Sequence, residues 1–159
     1  MAFSNDLTWS NFRLGTVVDM RKGGTVSNLT LNLYDEGNTT WDYDKPSPDP
    51  TVGATLGAYR YNKWAGGTNT GVYLFDGSFV KVREITLAYD VPQQRLNALQ
   101  RFGVRTTNLS VSGRNLFIIS GYNGFDPEVN NGGNVVARFV DLAQYPPSRS
   151  YFFTVALGF

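Results

Sequence analysis

The chain has 159 residues, 14 basic against 13 acidic side chains, no Cys and no His. It is long enough for one domain and carries no excess of charge with which to hold nucleic acid. The missing Cys and His remove disulfides, thiolate nucleophiles, the usual general base and the commonest metal ligand, so neither an enzyme nor a cofactor is expected.

Seventeen Gly beside 11 Phe, 9 Tyr and 3 Trp pair turn-formers with strand-favouring aromatics, the mark of an all-β protein. The opening, Met1 to Ser10, has neither a basic start nor an apolar run and does not read as a signal peptide. No stretch approaches the roughly 20 apolar residues of a spanning helix. A membrane β-barrel escapes that test, because its strands need only about 9 to 11 residues of alternating polarity.

Four segments show that alternation. In the first, Phe12, Leu14, Thr16, Val18 and Met20 take one side, with Val17 out of place on the other. In the second, Ile85, Leu87, Tyr89 and Val91 alternate with Glu84, Thr86, Ala88 and Asp90. Upstream the phase breaks at Val80, Lys81, Val82 and Arg83, which calls for a bulge or a polar interface. In the third, Leu109 and Val111 oppose Ser110, Ser112 and Arg114, and the run from Leu116 to Ile119 is apolar on both faces. The fourth, Tyr151, Phe153, Val155, Leu157 and Phe159, has one wholly apolar face, with Thr154, Ala156 and Gly158 small on the other and Phe152 the exception.

The connections alternate sharply in length. Pro92 to Gly103 is short, and Leu96, Leu99 and Phe102 suggest one or two helical turns. Met20 to Ser78 and Ser120 to Ser150 are far longer; the former suggests a short helix near Asn28 to Tyr34 and holds a Pro- and Asp-rich stretch from Asp42 to Pro50. Outer-membrane barrels show this asymmetry, with short periplasmic turns and long outer loops. The expected fold is therefore an antiparallel meander of about four amphipathic strands forming part of a transmembrane barrel wall.

Ser78-Phe-Val-Lys-Val-Arg-Glu-Ile-Thr-Leu-Ala-Tyr-Asp-Val-Pro92 resembles a strand of the SusC/RagA family of TonB-linked outer-membrane transporters. Val111-Ser-Gly-Arg-Asn-Leu-Phe117 resembles the following strand, and Gly121-Tyr-Asn-Gly-Phe-Asp-Pro-Glu-Val129 the loop after it. Tyr145-Pro-Pro-Ser-Arg-Ser-Tyr-Phe-Phe153 and Phe159 resemble the closing strand. The resemblance implies residues 1–159 as a C-terminal portion of a barrel of about 22 strands, with the plug and most strands lying outside it. It also implies import of oligosaccharides or other large nutrients across the outer membrane of a Gram-negative cell. The implied partners are outer-membrane lipid, a SusD-like lipoprotein, the TonB complex through an N-terminal part, and the barrel-assembly machinery. Tyr151, Phe153, Val155, Leu157 and Phe159 resemble the signal strand which that machinery reads.

Tyr59, Tyr61 and Trp64 form an aromatic cluster that suits ligand or loop contacts, since ring faces stack on sugar C–H surfaces. The alternative reading, a soluble carbohydrate-binding β-sandwich with these rings as its platform, needs more strands at regular spacing. Asp42, Asp44 and Asp49 are oxygen donors of the type Ca²⁺ takes, but intervening prolines make a stiff solvated loop the expected role. Asp126 and Glu128 flank Pro127 as a turn, with no catalytic partner in view, and Arg21-Lys-Gly-Gly24 reads as a turn in preference to an anion nest.

Overall fold

A computed structural model describes residues 1–128 and 139–159. Val129, which ends the third resemblance motif, and part of the Gly- and Asn-rich connection lie outside them. The chain divides into two compact units: Met1–Arg21, Phe79–Ile119 and Pro147–Phe159 form the first, Lys22–Ser78 and Ser120–Pro146 the second.

The first unit is a five-stranded sheet of β1 (Ala2–Trp9), β2 (Phe12–Arg21) and three strands from the later chain. The short strands Thr25–Asn28 and Leu74–Asp76, β3 and β4, come next in the chain and belong to the second unit. The sheet then continues through β5 (Phe79–Asp90) and β6 (Thr106–Ser120); Val140–Asp141 is β7, and Ser150–Gly158 is β8. The strand order is β1-β2-β5-β6-β8. β1 with β2, β2 with β5 and β6 with β8 pair antiparallel. Asp90 meets Asn108 and Glu84 meets Arg114, a pattern that only antiparallel β5 and β6 produce.

The four expected strands are β2, β5, β6 and β8. β1 is a fifth, in a stretch that shows no regular apolar face because Asn5 interrupts Phe3, Leu7 and Trp9. Only Ser10 and Asn11 join β1 to β2, and Ser10 takes the left-handed backbone (φ 52°) that a two-residue hairpin turn demands. The phase break in β5 is a bulge: Val17 faces Glu84 and Val18 faces Val82, so Arg83 is the extra residue. Through it Val80 and Val82 rejoin the face of Ile85, Leu87 and Tyr89, while Arg83 turns to Asp19 at 2.7 Å. Val17 stays on the polar face, opposite Glu84.

Short connections stand at one end of the sheet. Besides the Ser10–Asn11 turn, Val91 to Arg105 contains a 3₁₀ turn (Gln93–Arg95) and the helix α3 (Asn97–Gln100), with Leu96 and Val104 buried. This is the helical turn expected between the second and third amphipathic segments.

The second unit corrects the picture of two plain loops, because these connections build a structure of their own. β3 lies between β4, antiparallel, and β7, parallel. Gly23 and Gly24, with φ of 81° and 92°, turn the chain into it, and Gly23 N–H donates to Ser78 Oγ at 2.8 Å. The helix α1 spans Leu29–Glu36, capped by Asn28 Oδ1 accepting from Leu31 N–H at 2.8 Å, and fulfils the short helix expected there. The helix α2 spans Leu56–Ala65, capped by Thr55. Val26 and Tyr122 are buried together, with Phe75 edge-on to Tyr122 at 6.1 Å between ring centres.

Candidate functional site

Two features carry chemistry, one in each unit. The first is the two-sidedness of the sheet. Cross-strand partners share a face, so Leu7 with Leu14, Trp9 with Phe12, Phe12 with Tyr89, Leu14 with Leu87, Leu109 with Val155 and Val111 with Phe153 form one apolar surface. The Phe12 and Tyr89 rings stand 4.7 Å apart. Much of this surface is open: Trp9 is exposed by 77% and Phe153 by 70%.

The opposite face is polar and cross-linked. Arg83 holds Asp19, Arg114 holds Glu84 at 3.0 Å, Thr86 donates to Glu84 at 3.0 Å and Asn108 donates to Asp90 at 2.7 Å. Half-exposed pairs of this kind contribute up to ~1 kcal/mol each, so they align strands more than they stabilise them. Phe152, the exception in β8, lies on this face beneath the Arg114 guanidinium, 5.3 Å from its ring centre. Tyr151, Phe153, Val155, Leu157 and Phe159 are all exposed, and the four within β8 pair with Gly113, Val111, Leu109 and Thr107.

The second feature is in the other unit. Arg60, on α2, reaches Asp35 of α1 through two hydrogen bonds of 2.6 and 2.7 Å and Asp42 through two of 3.2 and 2.8 Å. Tyr73 O–H and the Thr40 hydroxyl donate to Asp35 as well. All five residues are buried. The hydrogen bond from Arg60 holds the Asp42 carboxyl below its ordinary range despite its burial. Burial pushes the Tyr73 and Tyr122 hydroxyls up.

Asp42 is thus an ion-pair residue, and Asp49 caps its own turn by accepting from Thr51 N–H and O–H at 3.1 and 2.6 Å. Among the described residues no three His, Cys, Asp or Glu side chains are placed to hold a metal ion. Asp126 accepts from Glu128 N–H at 2.9 Å around Pro127, the turn expected of it.

Tyr59, Tyr61 and Trp64 lie on α2 and do not make one platform. Tyr61 and Trp64, three apart on the helix, bring their rings to 6.2 Å, and Tyr61 O–H donates to Glu36 at 3.4 Å. Tyr59 instead has Lys63 over its ring at 5.8 Å. The aromatics that gather around a concavity are different ones. Tyr34, Trp41 and Phe125 line a cleft of about 430 Å³ together with Thr30, Asn123 and Asp141. Lys45 Nζ sits 4.1 Å from the Trp41 ring centre. Asp141, buried, accepts from Tyr122 O–H at 2.7 Å and from Thr30 O–H at 2.6 Å. Trp41 lies beyond the end of α1 and Phe125 far along the chain, so only closure of the unit brings them to Tyr34.

No family model matches the chain. Among curated proteins it is 28% identical to TonB-dependent receptor P3 of Formosa agariphila, over 95% of this chain and 15% of that protein. TonB-dependent receptors P39 and P26 of the same organism are 29% and 25% identical, over 91% and 98% of this chain and 14% and 16% of theirs. Among solved structures, the RagAB peptide importer superposes in its closed-closed state with a TM-score of 0.64 over 98% of this chain and 16% of that one, at 18% identity. Its open-open state gives 0.63, over 99% of this chain and 17% of that one, at 18% identity. The chain therefore spans about one-sixth of the length of the proteins it matches. Sequence and fold converge on one relationship: the chain is a homologue of the TonB-dependent receptors and has the fold of a section of the RagA-type importers.

Proposed function

We propose that the chain forms a C-terminal section of the outer-membrane barrel wall of a TonB-dependent importer, with the apolar face of its sheet toward lipid and the polar face toward the lumen. The observation that carries this reading is the exposed apolar face itself. In water a surface of Leu7, Leu14, Leu87, Val155 and Phe153 is unfavourable, and each such side chain gains ~1.5–3 kcal/mol on leaving it. In hydrocarbon the face is at home, provided that every backbone group is paired within the sheet. β2, β5 and β8 have 10, 12 and 9 residues, close to the length a tilted strand needs to cross. Trp9, Phe12 and Tyr89 cluster at the short-turn end, as an interfacial girdle does.

Among the described residues, β1 and β8 each have a strand neighbour on one side only. Closure of the wall by further strands of the same protein satisfies them. On this reading the cargo is an oligosaccharide, a peptide or another large nutrient. A SusD-like lipoprotein captures it, TonB supplies the energy, and the β8 pattern with Phe159 serves the barrel-assembly machinery. The role is transport, without chemical turnover.

The chain has no cysteine, so single cysteines report the two faces cleanly. In outer membranes from cells making the protein, Leu14→Cys, Leu87→Cys and Val155→Cys are expected to resist a charged maleimide and to be quenched by nitroxide lipids. Gly15→Cys, Thr86→Cys and Thr154→Cys should behave oppositely. Equal aqueous labelling of both sets would refute the proposal.

A further inference from the structure

The short connection from Val91 to Arg105 holds three arginines, Arg95, Arg101 and Arg105, and no Asp or Glu. Leu96 and Val104 are buried and seat it on the end of the sheet, while Arg95, Arg101 and Phe102 are exposed, Phe102 by 77%. Among the described residues neither Arg95 nor Arg101 is ion-paired. Two contacts join this turn to the apolar side of the sheet. Arg95 donates to the Tyr89 hydroxyl oxygen at 3.2 Å, and the Tyr89 ring packs on Phe12 in the apolar face. Gly103 lies beside Phe159, where an added Cβ would stand 3.9 Å from the ring. Arg101 and Phe102 line one hollow of about 460 Å³ with Asn97 and Ala98. Arg105 instead shares a hollow with Asp90 and Asn108 of the polar face.

A guanidinium without a carboxylate partner favours an anion, and its planar fork matches two oxygens of a phosphate. An exposed Phe beside it favours hydrocarbon. A free phosphate satisfies only the first demand; a phospholipid satisfies both, and the apolar face that the turn adjoins is the face assigned to lipid. Trp9, Phe12 and Tyr89 mark the level of the headgroups on that face, and Arg95, bonded to Tyr89, stands at the same level. We infer that the turn carrying Arg95, Arg101 and Phe102 is a binding site for an anionic phospholipid, with the two guanidinia on headgroup phosphate and Phe102 among the acyl chains. A zwitterionic lipid brings an ammonium beside its phosphate, so a turn with basic and no acidic side chains discriminates against it by charge, by about fivefold for each arginine. The site deepens the barrel reading by naming a lipid class for the short-turn end, and it rests on that reading for placing the turn at the membrane surface.

The test uses the full-length receptor in phosphatidylcholine nanodiscs, with a fluorophore on a single reactive cysteine at Ala98→Cys, in the hollow beside Arg101. Phosphatidylglycerol or phosphatidylcholine, each brominated near the headgroup end of its acyl chains, is titrated in as quencher. Half-maximal quenching is expected at a mole fraction roughly twentyfold lower for phosphatidylglycerol, and Arg95→Gln and Arg101→Gln should each lower that preference by about fivefold. Arg101→Lys should keep most of it, and Arg105→Gln, on the polar side, should leave it unchanged. Equal quenching by the two lipids, quenching by neither, or a preference that both glutamine variants leave intact would overturn the inference. So would loss of the preference on adding inorganic phosphate, which would assign the arginines to a free anion. Absence of lipid preference while Leu14→Cys and Gly15→Cys still label differently would sink this inference alone; equal labelling of those two would sink the barrel reading whatever the lipid titration gives.

Discussion

The two units of the chain distribute polarity in opposite senses. The five-stranded sheet leaves Leu7, Leu14, Leu87, Phe153 and Leu157 outside and holds its carboxylates and guanidinia in a half-exposed ladder. The unit made from the long connections seals Asp35, Asp42, Arg60 and Asp141 in its interior. An apolar exterior suits strands whose surroundings are lipid, and buried charge held by hydrogen bonds suits a small body that lacks enough hydrocarbon to build a large core. On the proposed reading the same chain folds under two solvent conditions, and substitutions should have different consequences in each.

The largest effect is expected at Arg60. Arg60→Met leaves Asp35 and Asp42 buried without a countercharge, a loss of ~3–5 kcal/mol. Rapid proteolysis within residues 22–78, with the sheet strands still protected in the membrane, would be the readout. Loss of both units together would show that they do not fold independently.

Next is the contrast between neighbours on β5. Leu87→Arg places a cation on the apolar face at a cost of ~2–4 kcal/mol if that face meets the bilayer midplane. Thr86→Arg, one residue away on the polar face, should stay within ~0.5 kcal/mol. Urea unfolding of the protein in lipid separates the two, and equal costs would remove the distinction between the faces. Removing the cap at Asn28 is expected to be smaller. Asn28→Ala loses the bond to Leu31 N–H and another to the Asn123 carbonyl at 2.6 Å, about 1–2 kcal/mol of second-unit stability. Faster amide exchange at Leu31 and Asn32 would report it.

The smallest expected change is with pH. A carboxylate held down by a partner contributes stability above its unfolded value, about 3.9, and loses it as pH falls through its lower folded value. Asp42 is such a group, so protease resistance of the second unit should persist to about pH 4 and decline below it. Asp42→Asn should weaken that decline, and an unchanged acid transition would remove Asp42 as its source.

The sheet was legible in the sequence because a period of two needs only neighbours: Phe12 through Met20 and Tyr151 through Phe159 announce their faces residue by residue. The misfit at Val80 to Arg83 even indicated the bulge. β1 escaped because Asn5 breaks its apolar row. The second unit was largely illegible. α2 carries Tyr59, Tyr61 and Trp64 with no strong amphipathic stripe, and its one decisive residue, Arg60, works through Asp35 and Asp42 from two other segments. The cleft is harder still to foresee, since Trp41 and Phe125 meet across most of the chain.

The bulge at Arg83 has a consequence for how this protein tolerates deletions. One surplus residue there reconciles two halves of β5 that run out of step, so the strand can lose one residue at the bulge without harm to parity. Without Arg83, Glu84 would follow Val82 directly, Val18 and Val17 would keep their partners, and the strand would run regular with its greasy and wet sides intact. The grip on Asp19 would go with it. Excising Thr86 instead would turn Glu84 to the greasy side and Ile85 to the wet one if Arg83 were drawn into the regular ladder. Shortened variants of this strand that still assemble should therefore be missing Arg83 or Glu84 at the bulge, and not Thr86.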